Sequence, residues 1–333
     1  MTRSDNTTIA ITGGAGYVGS RCATALAGHG YRIVVIDRNE ALTRHAFTDP
    51  RIVVRSGDLR DAQFAATALE GAALVLHLAA RIGSLTYMRD FQADILRDNA
   101  LIDAALYQAA VAVGKPVMVY ASSSMVFQHA PVFPYKEEDL LRTPPPTNVY
   151  GFSKLGGEYF CRAFGAQYDL PYAIIRYHNI YGPGEEGKGE GAGNVHVIPA
   201  LIGKVLSGQY PLELLGADGT RPFTYIDDAV EATCMVVERA LARDPEVLGE
   251  DFNIGPAEAT SIVDLTAMIW EQCGDSRPFR YVVKNDLGNL TAVRREMDPE
   301  KIRRIIGWKP KIDLKTGIRK TAAWMKEKRI TNQ

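Results

Sequence analysis

Cysteine is scarce in the 333-residue chain, with only 4. Cys22, Cys161, Cys234 and Cys273 stand far apart, which excludes the close pairing of a zinc site and the density of a disulfide scaffold. No metal is expected, and the thiols read as reduced and cytoplasmic. An excess of one charge is also missing, since 38 basic residues meet 39 acidic ones for a net charge of -1. There is neither the basic field that nucleic acid needs nor a polybasic membrane patch. No apolar run approaches the roughly 20 residues that span a bilayer, and Met1 to Thr7 is short and polar, unlike a targeting segment. The expectation is a cytoplasmic protein with no nucleic-acid or membrane partner. What is present is apolar: 46% of the chain is hydrophobic, enough for a substantial core in two unequal lobes.

Thr8 to Thr12 reads as a short strand running into Gly13-Gly14-Ala15-Gly16-Tyr17-Val18-Gly19, after which a helix heads toward Gly28. A glycine-rich turn between a strand and a helix N-terminus offers free N–H groups and a helix dipole to a pyrophosphate. A second apolar strand, Arg32 to Ile36, ends at Asp37. An acidic group there accepts hydrogen bonds from a ribose 2′-hydroxyl and repels a 2′-phosphate, which favours NAD over NADP. Arg38 beside it points the other way.

The alternation continues with strands at Ile52 to Arg55, Ala73 to His77, Pro116 to Ala121 and Tyr172 to Tyr177, and a helix at Asp94 to Val113. This order predicts an α/β fold: a doubly wound parallel sheet (Rossmann) with ligands at the strands' C-terminal ends. Asp58, after the third strand, suits either an adenine amine or a helix cap. Leu78-Ala79-Ala80 are small enough, at the alanines, for a cofactor to approach the backbone. His77 reads as a satisfied core histidine. Beyond Tyr181 the composition shifts: Gly184 to Gly193 is a glycine- and glutamate-rich loop, expected to be a lid or substrate loop. Helices at Val195 to Ser207 and Ser261 to Cys273 belong to a smaller C-terminal substrate-binding lobe. The division expected is 1–180 for the cofactor and mainly 181–333 for the substrate, with 222–258 partly returning to the first unit.

Tyr150-Gly151-Phe152-Ser153-Lys154, which opens a helix running through Arg162, reads taken alone as an ordinary amphipathic face, and with a cofactor and a second donor supplied by the rest of the chain as the centre of the chemistry. Residues four apart share a helix face, so the Tyr150 hydroxyl and the Lys154 ammonium can address one point. An adjacent cation favours a phenolate and lowers the phenol pKa, making Tyr150 a usable base. Ser122-Ser123-Ser124, after the fifth strand, reads either as turn chemistry or as a second donor to the oxygen that Tyr150 serves.

The glycine turn, the serine cluster, Tyr150-x-x-x-Lys154, Arg176-Tyr177-His178-Asn179 and Gly307-Trp308 occur in an order that resembles extended short-chain dehydrogenases/reductases, in particular nucleotide-sugar epimerases and dehydratases. The resemblance spans nearly the whole chain and implies NAD as cofactor, a nucleotide-sugar substrate and a homodimer formed through helices including the one at Tyr150. It implies that Tyr150 takes a proton from a sugar hydroxyl as hydride leaves the attached carbon, that Lys154 lowers the tyrosine pKa and holds the nicotinamide ribose, and that Ser123, with Ser124 as the near alternative, bonds the same oxygen. Cofactor contacts are assigned to Gly13, Gly16, Tyr17, Val18, Gly19, Asp37, Asp58 and Leu59, and to Leu78, Ala79, Ala80, Asn99, Ser122 and Tyr177. Substrate contacts fall to Ser84, Met125, Asn179, Lys188, His196, Arg221 and Arg294.

Sugar dehydratases of this kind usually carry an acid and a base beside the serine, and related decarboxylases a glutamate. Here Ser124-Met125 stand at those places, and methionine transfers no proton. That implies a 4-epimerase working through a transient 4-keto sugar. The stretch from Arg176 to Pro183, with Lys188 beyond it, is also similar to GDP-mannose 3,5-epimerases, although Met125 holds the place of their cysteine. Lys188 is either that enzyme's lysine or a solvated loop charge. Arg221 is either a diphosphate ligand, suited by its planar fork, or an ion-pair partner of Asp227 or Asp228. The second arginine expected near the C-terminal lobe is missing from 284–289, and Arg294 or Arg295 stands as its substitute. A dehydratase, a net oxidoreductase and a non-catalytic NAD-binding protein are the remaining alternatives.

Overall fold

The computed structural model describes residues 7–39, 47–185, 196–284 and 293–331. Its centre is a seven-stranded parallel sheet. The strands in chain order are β1 (Thr8–Thr12), β2 (Arg32–Asp37), β3 (Ile52–Ser56), β4 (Leu74–His77), β5 (Val117–Ser123) and β6 (Tyr172–Tyr177). They lie side by side as 3-2-1-4-5-6, and the strand Asp251–Ile254 pairs in parallel beyond β6. Chain order therefore reverses between β1 and β4, the crevice where doubly wound sheets bind ligands.

Both faces of the sheet are covered, which is why its strands read as continuous apolar runs. Successive residues point to opposite faces: Ile9, Ile11, Ile33 and Val35 join one buried cluster, and Ala10, Val34 and Ile36 join the other. The first cluster takes Cys22 and Leu26 of the Tyr17–Gly28 helix and Val230 and Val237 of the Ile226–Leu241 helix. The second takes Leu106 and Tyr107 of the Gln92–Ala112 helix and Cys161 of the Val149–Tyr168 helix. All four cysteines are buried and unbridged. His77 is fully buried, with Nδ1 on the Thr12 hydroxyl (2.7 Å) and Nε2 on Asp103 (2.9 Å), a satisfied core histidine.

Past β6 the chain forms the helices Val197–Leu206, Ile262–Cys273, Glu300–Ile306 and Leu314–Thr331 and several two-residue strands. Arg221 reaches the sheet's mouth on one of these, Thr220–Arg221, which pairs antiparallel with Thr260–Ser261. Lys188 and most of the glycine-rich loop lie outside the described residues. No described helix is long and apolar enough to cross a membrane.

Candidate active site

One cleft of about 850 Å³ runs along the C-terminal ends of the strands and gathers residues from both halves of the chain. At its base the Gly13 N–H donates to the Ile36 carbonyl of β2 (2.8 Å), and the Gly16 N–H donates to the Gly13 carbonyl (3.0 Å), closing the turn between β1 and the following helix. Gly13 has a φ of +65°, and a Cβ there would sit 2.9 Å from the Ala79 backbone; on Gly19 it would sit 2.3 Å from the Gly13 carbonyl oxygen. Only glycine permits that approach. Gly16 caps the helix with no side-chain bond, the first-turn N–H groups find no partner within the helix, and Gly16, Tyr17, Val18 and Gly19 all line the cleft. Asp37 ends β2 with one carboxylate oxygen on the Ala15 N–H (3.2 Å) and the other on the Asn39 N–H (3.0 Å). The glycine cradle, the helix N-terminus and this acidic group fit a dinucleotide with an unphosphorylated ribose.

Asp58, Leu59, Leu78, Ala79 and Ala80 continue the wall. Asp58 is not the helix cap, because Asp61 accepts from the Gln63 and Phe64 N–H groups. Its carboxylate instead receives Arg60 Nε at 3.0 Å. Asn99, expected among the cofactor contacts, is not among the cleft-lining residues; its amide bonds the Arg81 backbone (2.6 and 3.2 Å) and Ser153 (2.9 Å). Arg81 lines the wall in its stead, held by Asp98 (2.7 Å) and the Tyr87 hydroxyl (2.7 Å).

The Val149–Tyr168 helix begins where Asn148 Oδ1 accepts from the Tyr150 and Gly151 N–H groups (3.0 and 3.1 Å), so the cap sets Tyr150 in the first turn. Burial pushes the Tyr150 phenol up to about 12, and a hydrogen bond with Ser123 works against it. Burial also lowers the Lys154 ammonium to about 8, opposed by the charges of Asp103, Cys161 and Glu158. Lys154 Nζ donates to the Ala121 carbonyl (2.7 Å) and lies 4.9 Å from the Tyr120 ring centroid. The expected lowering of the phenol by Lys154 is therefore not what the structure resolves; desolvation dominates, and the group countering it is Ser123.

Around the reacting end, Ser123, Ser124, Met125, Tyr150, Lys154, Tyr177 and Asn179 all face the cleft. The Tyr177 hydroxyl meets Thr233 (2.6 Å), and Asn179 Nδ2 donates to the Pro222 carbonyl (2.8 Å). Ser122 reaches the wall, but its hydroxyl is turned to Glu158 (2.6 Å). Ser84 caps a short helix by accepting from the Tyr87 N–H (3.2 Å), and His196 sits on Glu185 at the mouth. Arg221 is buried in the cleft with its Nε lacking a hydrogen-bond partner, and burial together with the Arg295 charge holds its pKa well down. It makes no ion pair with Asp228, whose carboxylate accepts from the Lys311 and Ile312 N–H groups (3.1 and 3.0 Å).

Arg294 is misplaced by the sequence reading, since it pairs with Glu296 (2.7 Å) outside the cleft. Its neighbour Arg295 faces inward and donates to the Ser124 hydroxyl (3.4 Å). Adjacent residues of an extended segment point oppositely, and sequence alone did not say which arginine turned in. Glu158 and its partner Arg176, both fully buried, were also missed as a pair. The available signal was the spacing: Glu158 follows Lys154 by one more helical turn.

Fold and cleft together define a dinucleotide-dependent enzyme class with a tyrosine–lysine pair beside the cofactor site. The model of the NAD dependent epimerase/dehydratase family matches residues 9–255, and the chain belongs to that family. A GDP-mannose 3,5-epimerase of Arabidopsis thaliana is 30% identical over 97% of this chain and 83% of its own length. A putative UDP-glucose 4-epimerase of Methanocaldococcus jannaschii is 29% identical over 97% of this chain and all of its own. Among solved structures, a UDP-glucuronic acid 4-epimerase from Bacillus cereus, in complex with UDP-glucuronic acid and NAD, superposes with a TM-score of 0.83 at 25% identity, covering 96% of this chain and 99% of that one. NAD is the cofactor of this protein.

Proposed function

We propose that the protein is a nucleotide-sugar epimerase acting at C4 through a transient 4-keto sugar. Tyr150 takes the proton of the sugar hydroxyl, and the Ser123 hydroxyl bonds the same oxygen. NAD, which the glycine turn and Asp37 would hold, would supply the hydride chemistry at the attached carbon, taking hydride from one face and giving it to the other. Lys154 holds the nicotinamide ribose and supplies positive charge. Tyr150 then gives its proton back, so nothing is consumed. Arg221 and Arg295, from the second half of the chain, hold the diphosphate. Residues 1–180, with Asp251–Ile254 added to their sheet, form the cofactor unit in this reading, and 181–333 mainly the substrate lobe.

The observation that carries the choice is Met125. It is buried in one apolar cluster with Tyr150, Tyr87 and Met88 and faces the cleft, so the position beside the serines offers no acid or base for eliminating water. Incubation with NAD and a panel of UDP-, dTDP-, GDP- and CDP-sugars should yield a 4-epimer without net reduced cofactor. A dehydrated or oxidised product, with no epimer, would sink the reading.

A 3,5-epimerase is the second reading, favoured by the identity to the Arabidopsis thaliana protein. It requires C–H exchange beside the ketone, so product made in heavy water would carry deuterium. The 4-epimerase returns its own hydride and leaves the sugar unlabelled. A homodimer is part of the proposal: Phe152 and Tyr159, 46% and 65% exposed on the Val149–Tyr168 helix, support an apolar contact there.

A further inference from the structure

Two consecutive residues near the end of β5 are bound from the Val149–Tyr168 helix, and the next serves its tyrosine. The Ala121 carbonyl accepts from Lys154 Nζ (2.7 Å) and the Ser122 hydroxyl donates to Glu158 Oε1 (2.6 Å); the Ser123 hydroxyl accepts from the Met125 N–H (3.2 Å) and favours the charged form of the Tyr150 phenol. Tyr150, Lys154 and Glu158 are spaced by four, so they occupy one helix face. Of the three, Glu158 touches no part of the cleft.

Glu158 is instead immobilised from behind. Arg176 Nε and Nη2 grip its two oxygens at 2.7 Å each, and Arg162 adds a bond at 3.2 Å. Arg176 is in turn held by Asp251 on the strand beyond β6. Glu158 and Arg176 are both fully buried. A bidentate guanidinium–carboxylate pair leaves its members little freedom. The carboxylate keeps all three arginine bonds if Ser122 is removed, so the pair does not need the Ser122 hydroxyl to be satisfied. That hydroxyl lies between the two residues whose atoms meet Lys154 and Tyr150.

Resting on the reading of Tyr150, Lys154 and Ser123 given above, we infer that Glu158 is a positioning residue: through Ser122 it holds the end of β5 in the register where Ser123 meets the Tyr150 phenol and Ala121 meets Lys154. Displacing reacting groups by about 1 Å can cost roughly 100-fold in rate.

Ser122→Ala should lower kcat by roughly 10- to 100-fold. KM, NAD affinity by calorimetry and Tm should stay close to those of the parent. A parent-like kcat overturns the inference. So does a rise in KM or a loss of NAD binding at unchanged kcat, which makes Ser122 a binding residue, and so does failure of the variant to fold, which makes it structural. Tyr150→Phe is run alongside. If it still turns over, the underlying reading of the site has failed; if it is inactive while Ser122→Ala keeps full kcat, only the positioning role has failed.

Discussion

Tyr150 and Lys154 are held where burial works against the charged form of each; a hydrogen bond opposes it at Tyr150 and nearby negative charge opposes it at Lys154. The Ser123 bond pulls the Tyr150 phenol down from where desolvation puts it. Removing it in Ser123→Ala should raise that pKa further, leave less phenolate at a given pH and move the acidic limb of kcat/KM upward. An unmoved limb would take Ser123 out of the tyrosine's environment. Lys154, lowered to about 8, is cationic below that pH and neutral above it. If its charge serves the reaction, kcat/KM falls as pH rises through about 8, and a pH–rate profile shows a one-proton alkaline limb. The inward arginines separate from their neighbour by the same logic. Arg221→Ala should raise KM for the nucleotide sugar by about tenfold or more, the scale of a charged hydrogen bond of roughly 1.5–3 kcal/mol. Arg294→Ala, outside the cleft, should leave KM within about twofold on the same scale.

The catalytic helix and the glycine turn each depend on one local device. Asn148 satisfies two first-turn N–H groups of the Val149–Tyr168 helix. Asn148→Ala should cost about 1 kcal/mol in a denaturant titration and lower kcat as well, because the freed turn carries Tyr150. At the other element, Gly19→Ala would drive a methyl to 2.3 Å from the Gly13 carbonyl oxygen. The helix must then back away from β1, and NAD affinity measured by calorimetry should fall while the rest of the sheet persists. Undiminished affinity would mean that the turn can open without cost to the cofactor site.

Across the whole molecule, buried charge ties the sheet to the helices and makes stability depend on pH. His178 is fully buried against Tyr135 (2.9 Å), and burial lowers it to about 3. An unfolded imidazole titrates near 6.5, so between about 6.5 and 3 the unfolded chain binds the extra proton and stability falls as pH falls. Asp251 is lowered to about 2, where the Arg176 and Lys301 charges outweigh its burial. Its contribution is present above the ordinary carboxylate value near 3.9 and is lost as pH falls toward 2. Tm should therefore decline in two stages on acidification. A flat Tm from neutrality to about pH 4 would contradict the buried neutral His178. Replacing Arg176 by Ala should cost up to about 3–5 kcal/mol, since it leaves the fully buried Glu158 carboxylate with only the Arg162 and Ser122 bonds.

The sheet, its parallel order, the glycine turn with Asp37 behind it, and Tyr150 with Lys154 were all legible in the sequence by itself. Each rests on periodicity or on spacing within one element, where neighbours in the chain are neighbours in space. Contacts between distant segments were decided only by the tertiary structure. Asn99 folds back on the Arg81 backbone, Arg295 rather than Arg294 turns inward, and Ser122 lines the cleft but turns its hydroxyl to Glu158. The tyrosine pKa belongs to the same class: four-residue spacing put a cation on the right helix face, but desolvation by surrounding segments set the direction of the shift.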